Sequence, residues 1–67
     1  MTVPSERSRA IIYGRIFLFD LLDPRKTPKV PRAVRSRASR VLRHYPSISD
    51  VERAAYRCPD ILGKYET

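Results

Sequence analysis

The placement of proline constrains this chain more than any other feature. Pro4, Pro24, Pro28, Pro31, Pro46 and Pro59 punctuate it. Proline has no backbone N–H and a fixed φ, so it is excluded from helix interiors and from central strands. Three proline-free stretches of more than ten residues remain, 5–23, 32–45 and 47–58. The chain has only two glycines, Gly14 and Gly63, and no Asn-Gly or Asp-Gly pair, so nothing signals a tight hairpin. The pattern predicts an all-α fold, a small three-helix domain with helices at about residues 5–22, 31–45 and 49–57 and a further short turn at about 59–63.

Each stretch has its own apolar pattern. In the first, Ala10, Tyr13, Phe17 and Leu21 share one helical face, while Ile12, Ile16 and Phe19 fall on nearly the opposite one. Gly14, near the first of these faces, reads as a small residue that allows close packing. Pro4 suits the helix start and Glu6 the first turn, where a negative charge complements the dipole. The β-branched and aromatic run Ile16–Phe19 also fits a strand. Residues 23–30 form a Pro-rich basic linker. In the second stretch Val34, Ala38, Val41, Leu42 and Tyr45 make one apolar stripe. The third has two competing starts with capping-box spacing, Ser49 with Glu52 and Ser47 with Asp50. There Val51, Ala55 and Cys58 fall on one side, with Ile48 leading in. Residues 64–67 read as a frayed tail.

A chain of 67 residues supports one small domain, 1–67, with a marginal core. Chains of this size gain stability from disulfides, metals, association or tight helix packing. Cys58 is the sole cysteine and His44 the sole histidine, so neither an internal disulfide nor a Cys/His zinc site is available. A lone cysteine fits a reducing compartment, and the start Met1–Ala10 lacks the apolar segment of a signal peptide. The longest apolar run, Ile16–Phe19, is far short of the roughly 20 residues of a membrane span. The expected location is the cytoplasm.

Charge is the feature that points to function. Fourteen Lys and Arg against seven Asp and Glu give a net +7, and eleven of the fourteen are Arg. From Arg25 to His44 there are eight Lys or Arg and no Asp or Glu. A solvated helix normally interleaves signs, gaining about 0.2–0.5 kcal/mol per i,i+4 pair. Here the pairs are missing, which suggests that a partner supplies the negative charge. The candidate polyanion-binding residues are Arg25, Lys26, Lys29, Arg32, Arg35, Arg37, Arg40 and Arg43. Ser36 and Ser39 lie among them and are small enough to let a surface approach.

A helix-turn-helix requires the helix after the turn to enter the groove. In this chain that helix opens with Asp50 and Glu52, and the basic helix precedes the turn, so the motif fits poorly. Tyr45 and Tyr56 are candidates for stacking on bases, but Tyr45 lies on the apolar stripe, and Tyr13 and Phe17 are expected in the core for the same reason. His44 with Cys58 forms no supported catalytic pair; Cys58 reads as a small buried residue and His44 as a cation at a helix C-terminus. Asp20 and Asp23 are expected to pair with Arg25 or Lys26. There is no phosphate-binding glycine loop, no metal-spaced cluster and no catalytic constellation.

The opening Met1-Thr2-Val3-Pro4-Ser5-Glu6-Arg7-Ser8-Arg9-Ala10, the segment Val30–Arg35 and the phrase Leu42-Arg43-His44-Tyr45-Pro46-Ser47 resemble a family of short bacterial hypothetical proteins. The resemblance extends to about Tyr56 and excludes the tail from Cys58. It implies a bacterial, cytoplasmic, self-contained protein and carries no cofactor, activity or catalytic residue with it.

The expectation is therefore a non-enzymatic, cofactor-free binding protein or regulator without a small-molecule substrate. Its leading partner is nucleic acid, contacted at the phosphates by the arginine surface of the second helix. The alternative is a small adaptor or inhibitor that binds an acidic protein surface. Its interface would be Ile12, Ile16 and Phe19, engaging the other protein or forming a homodimer.

Overall fold

The computed structural model describes residues 2–64. Three helices follow one another, α1 (Pro4–Leu22), α2 (Arg32–Leu42) and α3 (Ile48–Arg57), and no strand occurs among the described residues. The strand alternative at Ile16–Phe19 is thereby replaced by the interior of α1. Among the described residues no helix is long and apolar enough to cross a membrane. The expected frayed tail lies outside the described residues from position 65 on. The described chain divides into two compact units, one of residues 2–13 with 46–64 and one of residues 14–45.

In the first unit α1 starts on Val3, whose carbonyl accepts from the N–H groups of Glu6 (3.0 Å) and Arg7 (3.2 Å). Pro4 occupies the first helical position, where its missing N–H costs nothing, and Glu6 Oε1 accepts back from Val3 N–H at 3.0 Å. Arg7 and Ser8 then fasten residues 60–63. Arg7 Nε donates to Ile61 O (2.8 Å), Nη2 to Asp60 O (3.2 Å) and Nη1 to Thr2 O (2.8 Å). Ser8 is fully buried, and its hydroxyl donates to Gly63 O at 2.7 Å. Gly63 itself is buried, and a Cβ there would fall 2.8 Å from Ser5 N and 3.0 Å from Pro4 C. Backbone therefore lies on backbone, and only glycine fits.

The apolar core of this unit is Ile12, Val51 and Ala55. For α3 the second of the two candidate starts is the real one. Ser47 is the N-cap: its hydroxyl accepts from Asp50 N–H (3.2 Å), and Asp50 Oδ2 accepts from Ser47 N–H (3.0 Å). Asp50 also receives Arg53 Nη2 at 2.9 Å. Hydrogen bonds from the Ser47 backbone, from Arg53 and from the Ser47 hydroxyl, in that order, hold the Asp50 carboxyl below its ordinary pKa. Cys58, expected in the core, is exposed and is the C-cap of α3, its N–H bonded to Ala54 O at 2.8 Å. Ile48 is exposed as well. The chain then makes the expected short turn, with Ile61 N–H and Leu62 N–H both on Cys58 O.

Of the two apolar faces of α1, Ile12 is only 4% exposed, whereas Tyr13 and Phe17, expected in the core, are 57% and 61% exposed. Neither face is covered along its length, since Ile16 and Phe19, on the side of Ile12, are exposed too; in the first unit the burial falls on Ser8 and Ile12. Apolar spacing alone does not distinguish the two sides.

In the second unit α1 ends at Leu22, and Asp23 starts a turn: its carbonyl accepts from Lys26 and Thr27 N–H and its Oδ1 from Arg25 N–H. α2 is shorter than expected at both ends. Pro31 acts as its N-cap, and Tyr45, which precedes Pro46 and is disfavoured in the α region, leaves in a tighter turn with its N–H on Leu42 O at 3.2 Å. Ala38 is the buried apolar residue of α2, with Leu42 and Tyr45 half-buried; Val34 and Val41, expected on the buried stripe, are exposed. Gly14 does serve a close approach, since a Cβ there would lie 2.7 Å from Tyr45 Oη.

Two predictions follow from the first unit. Ser8→Ala, which leaves Gly63 O without its buried donor, and Gly63→Ala, which forces Pro4–Ser5 aside, should each destabilise by about 1–3 kcal/mol in denaturant melts, with the double mutant costing less than the sum. Asp50, with its pKa lowered on folding, contributes stability in full above its ordinary value of 3.8 and loses it as pH falls below that through the lowered value. Asp50→Asn should therefore flatten the acid limb of an unfolding-versus-pH curve below about pH 4.

Candidate functional site

The eight candidate cations all lie in the second unit, residues 14–45, but they do not form one free patch. Three are engaged in the fold. Lys26 Nζ lies 3.4 Å from Asp20 Oδ1, and Arg25 Nε lies 3.6 Å from Asp23 Oδ1, the pairings expected for these acids. Both are solvent-facing pairs of small energetic weight.

Arg35 is the main correction. Rather than facing solvent with the other arginines, it is half-buried and turned inward. Nη1 donates to Leu21 O at 2.6 Å and to Thr27 Oγ1 at 3.2 Å, and Nη2 donates to Thr27 O at 2.6 Å. Leu21 O is among the last carbonyls of α1, which have no partner within the helix. α1 has no basic residue in its own last turn, so the cation that the C-terminal dipole favours comes from α2. Thr27 Oγ1 completes the clasp by donating to Asp20 O at 2.7 Å. The planar fork of arginine spans these acceptors in a way that a point-charge ammonium does not.

The other five cations, Lys29, Arg32, Arg37, Arg40 and Arg43, are exposed. Among the described residues no carboxylate pairs with any of them. Lys29 adopts a left-handed backbone, φ 65°, between Pro28 and Pro31, a conformation that costs a non-glycine residue roughly 1–2 kcal/mol. At about 100° per residue, Arg32, Arg40 and Arg37 of α2, with the C-cap Arg43 still in the α conformation, spread over an arc of roughly 140° on the side away from Ala38. Ser36 and Ala33 lie between them, both exposed.

The alternative interface is changed by the structure. Ile12 belongs to the core and Ile16 is exposed, while Phe19 carries the Arg15 guanidinium over its ring at 4.7 Å. The i,i+4 spacing of Arg15 and Phe19 is the sequence signal for that cation–π contact. The larger exposed rings on α1 are Tyr13 and Phe17. Tyr45, half-buried, is withdrawn as a stacking ring, whereas Tyr56 is almost fully exposed. Among the described residues no group of three or more His, Cys, Asp or Glu side chains is placed to hold a metal ion.

Because Arg35 is structural, Arg35→Ala should lower stability by about 1–3 kcal/mol in a thermal or denaturant melt, and Arg35→Lys should restore little of it.

Comparison of the chain with protein-family models, with curated proteins and with solved structures found no match in any of the three.

Proposed function

We propose that this chain is a small, basic, non-catalytic binding protein that contacts nucleic-acid phosphates through the arginine face of α2. One observation carries the reading: Arg32, Arg37 and Arg40 of α2 and its C-cap Arg43 are exposed together, with no carboxylate on any of them among the described residues. Like charges within a helical turn or two repel, and at physiological salt the screening length of about 8 Å reduces that repulsion without removing it. A row of phosphates relieves it and releases condensed counterions. Lys29 extends the row ahead of α2. The exposed thiol of Cys58 suits a reducing cytoplasm.

A second reading, an adaptor or inhibitor that binds an acidic protein, draws support from Tyr13 and Phe17, two large rings left open on α1.

Fluorescence anisotropy with labelled duplex DNA and RNA across a salt series tests the first reading. The parent should show a log–log slope of about −4, and Arg37→Gln with Arg40→Gln should make it shallower by about 2, at roughly 0.9 per lost phosphate contact. Absence of binding at low salt would overturn the nucleic-acid reading and leave the adaptor.

A further inference from the structure

The way α2 stands on its unit narrows the kind of nucleic acid. Of its eleven residues eight are exposed (Arg32, Ala33, Val34, Ser36, Arg37, Ser39, Arg40 and Val41), and only Ala38 is fully buried. The helix is held along one narrow line, by Ala38, by half-buried Leu42 and by the Arg35 clasp, and the rest of its circumference is free. A helix that lies on a flat partner needs only one face, a stripe about 100° wide. The free arginines of α2 cover more than that, roughly 140° at 3.6 residues per turn. Cations spread so far around a cylinder fit a concave polyanion with negative charge on two walls.

The order of residues around that arc sharpens the fit. Going around the helix, Arg32 and Arg43 come first, then Ser36, Arg40, Ala33 and Arg37, so that short side chains alternate with long ones. Short residues let the helix axis come close to a floor, and the long ones reach sideways to the walls. From Arg32 to Arg43 the row is about 16 Å long. A helix with its side chains is about 10–12 Å across, and the B-form major groove is about 12 Å wide and 8.5 Å deep. The major groove of A-form RNA is too narrow and deep to admit it. Single strands are bound by rings stacked on bases beside cations, and α2 carries no aromatic residue.

We infer that α2 inserts into the major groove of B-form duplex DNA, with Ser36 and Ala33 towards the base edges and Arg32, Arg37, Arg40 and Arg43 on the flanking phosphates. The inference rests on the nucleic-acid reading above and adds the groove and the duplex form to it.

Four probes of one sequence test it by anisotropy at a single salt concentration. They are duplex DNA, duplex RNA, single-stranded DNA, and duplex DNA whose major groove is filled by glucosylated hydroxymethylcytosine. The parent should bind the unmodified DNA duplex at least about tenfold tighter than each of the other three. Ser36→Phe, at an exposed position and with an unchanged far-UV circular dichroism spectrum, should bring duplex DNA down to the level of RNA. Equal binding to all four probes with the same salt slope would overturn groove insertion and leave the phosphate reading standing. A preference for RNA or for the single strand would also overturn it. No binding to any probe at low salt would overturn both readings together.

Discussion

The contact on which the second unit depends is the fork of Arg35 against the end of α1. Ala38 is the buried apolar residue of α2, and its side chain is small, so apolar burial alone holds α2 weakly. A fully buried leucine or valine contributes about 1.5–3 kcal/mol, and alanine offers much less area. The two hydrogen bonds of 2.6 Å from a half-buried guanidinium to backbone carbonyls are together of comparable weight, at about 1–3 kcal/mol. They also fill a specific need, since the last carbonyls of α1 have neither helical partners nor a cation of their own. Thr27 sits at the centre of the clasp, accepting from Arg35 and donating back to Asp20 O.

The same contact shapes the charged surface. With Arg35 turned inward and Arg25 and Lys26 set against Asp23 and Asp20, the uncompensated charge is concentrated on Arg32, Arg37, Arg40, Arg43 and Lys29. The thin attachment that makes Arg35 necessary also leaves most of α2 exposed. Weak apolar packing and a protruding basic helix are thus two sides of one arrangement. A helix buried more deeply by larger side chains would offer a narrower face.

The first unit solves its problem of size with hydrogen bonds to the backbone. Arg7 and Ser8, both polar, fasten residues 60–63, and Gly63 lets the two backbones meet. At the start of α3, two capping boxes of identical spacing compete in the sequence. The Ser47–Asp50 box prevails with an additional bond between the Ser47 hydroxyl and Asp50 Oδ2 at 3.0 Å, and with Arg53 one turn on to pair with the same carboxylate. Val51 and Ala55 face the core.

Proline positions and 3.6-residue periodicity are local properties, and they suffice for the three helices, the linker and the sign-segregated block from Arg25 to His44. Proline forbids a helix interior where it stands, whatever surrounds it, and charge content needs no fold to be counted. Which face of α1 is covered is a different kind of question. Tyr13 with Phe17 and Ile12 with Ile16 look alike as patterns, yet only Ile12 of the four is buried, next to Ser8, a buried polar residue whose hydroxyl donates to Gly63 O, 55 positions away. Likewise one arginine among the four of α2 becomes structural because the open carbonyl end of α1 lies within its reach. Such choices depend on partners distant in the chain, and only the folded packing brings those partners together.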